Sequence, residues 1–211
     1  MTKIEPFEKY SKEYDKWFIR NHDVYQTELD AIKNLIPINK EGVEIGVGSG
    51  RFALPLGIKI GVEPSRKMAD MARSKGIQIY ESVAEQLPFQ DKKFDFTLMV
   101  TTICFVDDIL KSFQEAYRIL KNDGFIIVGF VDKNSELGRR YQLKSEESKF
   151  YKYATFHSSE EVIALLKKAN FIISDIKQTV YSNKKVNEIS LVKNGYGKGN
   201  FVVIKALKID K

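Results

Sequence analysis

A chain of 211 residues with 43% apolar and 29% charged side chains has the composition of an ordinary globular domain, not of a disordered or collagen-like polymer. A single cysteine, Cys104, excludes an intrachain disulfide, and two distant histidines, His22 and His157, argue against a metal site. The net charge of +6 arises from 34 basic and 28 acidic residues interleaved along the chain, so it reads as solvated surface, and nucleic acid is not an expected partner.

The first stretch, 7–36, is rich in helix formers and aromatics, with Leu29, Ile32, Leu35 and Ile36 at helical spacing before Pro37. Its start lacks the apolar stretch and small-residue cleavage site of a secretory signal. No run of eighteen apolar residues occurs anywhere, so no membrane association is expected and a cytoplasmic location is. From Val43 the pattern changes to short β-branched runs alternating with helical ones, as in parallel βαβ units. Strands are predicted over 43–47, 58–63, 77–81, 94–101 and 125–131. The link 48–57 leaves room only for a short helix, further shortened by Pro55. Helices are predicted over 65–74, stopped at Gly76, and over 107–120, where Ile109, Leu110, Phe113, Ala116, Tyr117 and Leu120 share a face.

The alternation breaks over 132–155, too long for a bare loop and therefore a candidate functional insertion. Ser158-Ser159-Glu160-Glu161 supplies a capping box for a helix carrying Val162, Ile163, Leu165, Leu166 and Ala169. Runs at 171–180 and 200–208, with no helical pattern between them, predict an antiparallel hairpin at the sheet edge. One domain is expected over 1–211, with a helical lid at 1–40 and an insertion at 132–157 on the acceptor side.

Glycines 46, 48 and 50 follow the first strand and open a turn, where missing side chains let a ligand approach the backbone and positive φ carries no penalty. About thirteen residues on, Glu63 ends the second strand, placed to accept hydrogen bonds from a ribose diol. Together they point to an adenosine-containing cofactor. No Gly-Lys-Ser/Thr closes the turn, which argues against a P-loop. The third glycine comes one residue early for a dinucleotide fingerprint, and Glu44 would bring negative charge towards a pyrophosphate; it suits a ligand with an amino group.

These residues resemble the class I S-adenosylmethionine-dependent methyltransferases, especially their small-molecule branch with a type 11-like domain. The resemblance covers nearly all of 7–207: Glu44 to Gly50 is similar to the family's first motif, and Gly61 to Ser65 with Met68 to the second. Ser82 to Phe89 is similar to the third, Phe94-Asp95-Phe96 leading to Thr101-Thr102 to the fourth, and Leu120 to Gly124 to the turn before the fifth strand. It implies a Rossmann-like, seven-stranded, mostly parallel α/β sheet with an antiparallel C-terminal hairpin, helices on both faces and an N-terminal helical lid. The implied cofactor is S-adenosyl-L-methionine and the implied activity is in-line methyl transfer to a small-molecule acceptor.

By that resemblance Gly46, Gly48 and Gly50 pack against the cofactor, Glu44 helps to place its amino group, and Glu63 holds the ribose hydroxyls. Pro64 and Met68 flank the adenine, Ala84 and Glu85 lie at its polar edge, Thr101 and Thr102 border the methionyl end, and Tyr14 closes over it from the lid. The chain departs from the pattern at Val83, where the family commonly has Asp, and at Cys104-Phe105, where many members have His or Trp. A sulfonium methyl donor is already activated, so alignment and water exclusion suffice and no catalytic base is singled out. Acceptor-side candidates are Phe105, Tyr141, Tyr151 and His157, with Phe150 and the Arg139-Arg140 pair, beside packing or surface roles for each. Two further readings stay open: a protein that binds S-adenosylmethionine without turnover, and a nicotinamide-dependent oxidoreductase.

Overall fold

A computed structural model describes residues 3–37, 39–180 and 191–209. Residues 1, 2 and 38 of the expected 1–40 lid lie outside the described residues. Among the described residues eight strands form one sheet: β1 (Gly42–Ile45), β2 (Ile60–Val62), β3 (Gln78–Tyr80), β4 (Phe94–Val100), β5 (Leu120–Val131), β6 (Phe171–Val180), β7 (Leu191–Asn194) and β8 (Phe201–Lys208). Their order is β3-β2-β1-β4-β5-β8-β6-β7; the first five run parallel, and β8, β6 and β7 join antiparallel. The Rossmann-like order turns back between β1 and β4, where the carboxyl ends of parallel strands leave a crevice.

Two points correct the expectation. Among the described residues the sheet has eight strands, not seven: β7 is a four-residue edge strand whose Leu191 and Val192 face Val180 and Thr179, and it occupies the edge expected for the 171–180 and 200–208 pair. Strand β8 lies inside, hydrogen-bonded to β5 on one side and β6 on the other. The link 48–57 is not a helix but a succession of hydrogen-bonded turns, such as Leu54 N–H to Gly50 O at 3.2 Å and Gly57 N–H to Leu54 O at 3.1 Å. Pro55 lacks the amide that a further turn would use.

Period-two alternation on the central strands supplies both layers of the core. Ile126, Val128 and Phe130 of β5, with Val202, Ile204 and Ala206 of β8, pack beside Phe113, Ile119, Val162 and Leu166 from helices α4 (Ile109–Ile119) and α6 (Ser159–Lys168). Phe125, Ile127, Phe201 and Val203 face the other way, towards Phe18, Leu29, Ile32, Phe52 and Ala72. Those come from α1 (Glu5–Arg20), α2 (His22–Lys33), the 48–57 link and α3 (Arg66–Arg73). Helices therefore cover both faces.

The expected capping box forms, Ser158 and Glu161 bonding reciprocally at the start of α6, and Ser65 Oγ caps α3 by accepting from Met68 N–H at 3.3 Å. The insertion carries α5 (Glu136–Leu143), capped by Ser135, and two single 3₁₀ turns at Ser145–Glu147 and Tyr151–Tyr153. Among the described residues no helix is long and apolar enough to cross a membrane.

Candidate active site

At the carboxyl ends of β1, β2 and β4 the chain leaves the sheet through Gly46, Glu63 and Thr101. Gly46, Gly48 and Gly50 all have left-handed backbones, with φ of 72°, 56° and 80°. Their surroundings differ. A methyl at Gly46 would overlap the Thr102 side chain, and at Gly50 it would come within 2.5 Å of Ile77 Cδ1. At Gly48 it would meet only Met68 Cε, at 3.4 Å. Gly48 thus leaves open space beside the backbone, while Gly50 serves packing against α3 and lines neither cavity described next.

Ten of the sequence-predicted cofactor residues wall one cleft: Tyr14, Gly46, Gly48, Glu63, Pro64, Met68, Ala84, Glu85, Thr101 and Thr102. Val83, Phe105 and Lys3 are among the other residues that line it. Glu63 is buried there, its Oε2 accepting from Gly48 N–H at 2.8 Å and its Oε1 from Ser65 N–H at 2.9 Å. Burial pushes its carboxyl up to about 7, against the pull of those two amides. Each oxygen keeps a further lone pair for a hydroxyl donor.

Glu44 opens onto a smaller adjoining recess shared with Tyr14, Gly48, Ser49 and Arg51. It is buried, its Oε2 has no hydrogen-bond partner among the described residues, and burial holds its pKa well above the usual carboxylate range. An orphaned acceptor aimed into a recess suits an incoming ammonium group. Glu85 is less free: its Oε1 accepts from Asp107 N–H at 2.7 Å and Asp108 N–H at 3.0 Å, at the entry to α4. Thr102 Oγ1 braces the site, donating to backbone carbonyls at the ends of β1 and β4, the nearest being Val100 O at 3.0 Å.

Thr101 has φ of 50°, a strained backbone for a β-branched residue, held by Thr101 N–H donating to Gly129 O at 2.8 Å. The strain turns its hydroxyl towards the lid, where Tyr14 Oη lies 3.5 Å away. Burial raises the Tyr14 phenol. The lid helix α1 is fixed at both ends of the cleft. Asp15 accepts from Ser49 Oγ at 2.6 Å and Arg51 Nε at 2.7 Å, with Lys75 Nζ 3.6 Å away, and these partners lower its carboxyl to about 2. Glu8 Oε1 accepts from Ser65 Oγ at 2.8 Å. Rings of Phe7, Tyr14, Phe105 and Phe150 pack edge-on or tilted with centroids 4.9–5.7 Å apart.

Across Tyr14 and Thr101 lies a second cavity of about 650 Å³ between α1, α2 and the insertion. Phe105, Tyr141, Phe150 and Tyr151 line it, Tyr141 and Tyr151 being stacked with centroids 4.4 Å apart. Arg140 stands exposed at its rim. His157 does not reach it: that side chain faces a small separate pocket with Cys104 and Tyr151, and its Nδ1 lies 3.8 Å from Glu161. Burial lowers His157 and pushes the Cys104 thiol up to about 12. Sequence reasoning missed Glu28, buried in the large cavity, and the Asp15–Ser49–Arg51 cluster. The signal for Glu28 was its place four residues before Ile32, an acid on the apolar stripe of α2.

Residues 43–128 match a family of methyltransferase domains. A crystal structure from Thermotoga maritima, described as a SAM-dependent methyltransferase and "possible histamine N-methyltransferase", superposes with a TM-score of 0.93 at 50% identity, covering 98% of this chain and 99% of that one. An uncharacterised protein of Methanocaldococcus jannaschii is 47% identical over 96% of this chain and 98% of its own. The ubiquinone/menaquinone biosynthesis C-methyltransferase of Rickettsia typhi is 28% identical over 77% of this chain and 70% of its own. A glycine turn with a buried acid at the end of the next strand thus stands in a chain that belongs, by sequence and by fold, to the S-adenosylmethionine-dependent methyltransferases, with S-adenosylmethionine as its cofactor.

Proposed function

We propose that the chain moves the methyl group of S-adenosylmethionine to a small molecule seated in the 650 Å³ cavity, with transfer taking place beside Tyr14 and Thr101. The observation that carries this reading is that these two residues, alone with Phe105, wall both the cofactor cleft and the larger cavity. A cavity of that volume is the size small-molecule sites use. Glu63 takes the ribose hydroxyls, Glu44 the methionyl ammonium, and Gly46 and Gly48 the close approach of the backbone. Pro64, Met68 and Ala84 enclose the adenine. Glu85, half committed to α4, offers one oxygen at its edge, and Thr102 borders the methionyl end by bracing the turn. Gly50 acts through packing.

When bound, the cofactor supplies an activated methyl on a sulfonium. The protein then needs to hold the acceptor's nucleophile in line and exclude water, which is worth up to roughly 7–11 kcal/mol. The 1–40 lid and the 132–157 insertion do this as parts of one unit, and His157 takes no part in it. An acceptor cavity adjoining the cofactor cleft favours turnover over mere sensing, and the buried Glu44 carboxyl, whose Oε2 has no partner among the described residues, is ill matched to the pyrophosphate of a nicotinamide cofactor.

Calorimetry with S-adenosylhomocysteine and with NADH, followed by tritiated methyl transfer against a metabolite panel, tests the proposal. Tight homocysteine-nucleoside binding with turnover of a panel member is expected; NADH binding in its place overturns it. Glu63→Ala weakens nucleoside binding by about 1–3 kcal/mol through loss of charge-assisted hydrogen bonds, and unchanged affinity removes Glu63 from the site.

A further inference from the structure

The large cavity holds one group that the methyl-transfer chemistry leaves unused. Glu28 is 5% exposed, lines the cavity, and its side chain makes no hydrogen bond or ion pair with any described residue. The other charges around the cavity are spoken for or wet. Glu13 pairs with Lys149 Nζ at 2.9 Å, and Arg20, Glu136 and Arg140 are exposed, so solvent screens them. The solvated side of α2 offers ample room for an acid, as Asp23 and Asp30 show by their exposure. Glu28 instead sits among Thr27, Leu29, Ala31 and Ile32 on the buried face.

From this geometry we infer that the acceptor is a small organic amine, which enters as a cation and docks its nitrogen on the Glu28 carboxylate while its apolar body lies against the aromatic walls; the carboxylate takes the ammonium proton, and the freed lone pair forms the N–CH₃ bond as the S–CH₃ bond breaks and S-adenosylhomocysteine leaves. The inference rests on the methyl-transfer reading and names the acceptor class for it. An unpaired carboxyl in a desolvated pocket is costly and is relieved by an opposite charge, whereas an anionic or neutral ligand leaves the cost in place. Desolvation alone raises this carboxyl to about 8, with no hydrogen bond or cation opposing it, as expected of a group whose partner is a ligand. The position is apt as well. Its charge is felt by the phenols of both Tyr14, at the junction with the cofactor cleft, and Tyr141, whose ring stacks on Tyr151.

The test is calorimetry at pH 8 on the full chain saturated with S-adenosylhomocysteine, using 2-phenylethylamine, its neutral isostere 2-phenylethanol, and 3-phenylpropionate. We expect the amine to bind at least tenfold more tightly than the alcohol, and the acid not to bind. Glu28→Gln should remove that tenfold preference and leave both the alcohol and S-adenosylhomocysteine affinities unchanged. Equal binding of amine and alcohol, tighter binding of the acid at the arginine rim, or a preference that survives Glu28→Gln each overturns the inference. Loss of S-adenosylhomocysteine binding by the unaltered chain would instead strike the methyl-transfer reading, so the two failures are distinct. The melting temperature of Glu28→Gln, expected to equal or exceed that of the parent, shows that the variant is folded.

Discussion

Gly48 and Gly46 share a left-handed backbone, yet a methyl added at each would meet different surroundings. Gly46→Ala drives Cβ into Thr102 and disturbs the brace between β1 and β4. Gly48→Ala costs only about 1–2 kcal/mol of backbone strain, because just Met68 Cε lies near. The Gly48 variant is therefore expected to remain folded by circular dichroism while losing at least tenfold in S-adenosylhomocysteine affinity, since its methyl occupies the open space of the cleft. Retained affinity would mean that the cofactor does not approach the backbone there.

The buried acids set a pH dependence at the same scale. Glu28 and Glu63 are raised from 4.5 to about 8 and about 7, so the folded chain binds more protons than the unfolded one between those limits. Their contribution to stability is fully present below pH 4.5 and is lost as pH rises through 7 and 8. Asp15 runs oppositely: lowered from 3.8 to about 2, it stabilises above 3.8 and that share is lost as pH falls through 2. Glu28→Gln removes one alkaline cost. Its melting temperature should exceed the parent's by roughly 5 °C or more at pH 9, with the gap closing near pH 5, as followed by calorimetric scans.

At the scale of elements, α1 is the part whose placement matters most. It is kinked at Tyr10, and Glu8 ties the part before the kink to the start of α3 while Asp15 ties the part after it to the glycine turn. Asp15→Asn keeps the shape but loses the ionic half of the cluster with Arg51 and Lys75. Charge-assisted bonds of this kind contribute about 1.5–3 kcal/mol, so nucleoside dissociation measured by stopped flow should accelerate roughly tenfold or more. An unaltered off-rate would mean that α1 need not lift for exchange.

Elements with a local cause were legible in the sequence. Ser65 and Ser158 mark helix starts, Gly76 a stop, and the β-branched runs the parallel strands, because caps and alternation act over a few residues. The glycine turn and Glu63 were legible for the same reason. The eighth strand, the turns of 48–57 and α5 were not: four residues of β7 gain their partners only from β6, and α5 depends on packing within an aromatic insertion. Glu28 stood out only once α2 was seen to close a cavity, since a lone acid on an apolar stripe is an ordinary helix-edge charge until its surroundings are known. His157, expected on the acceptor side, lines a small pocket beside the large cavity, just before the α6 cap.

Over the whole molecule, the sheet divides labour between its two faces. The face covered by α4 and α6 is a closed core of buried side chains, including Phe94, Phe113, Val162 and Leu166. The opposite face spends part of its cover on cavities, because α1 and α2 bridge over the strand ends as well as packing on them. Stability should be distributed accordingly. Amide hydrogen exchange is expected to be slowest in β4, β5 and β8 and fastest in α1 and α5, with S-adenosylhomocysteine slowing α1 well beyond any effect on β8. Uniform slowing across the sheet would contradict a lid that closes over bound nucleoside.

That Tyr14 belongs to a single helix roofing both chambers has a kinetic corollary. We therefore predict that the two substrates enter in compulsory order, donor first, and that the demethylated nucleoside leaves last. Inhibition by S-adenosylhomocysteine should then be competitive towards the donor and non-competitive towards the acceptor, and its egress should pace the steady state.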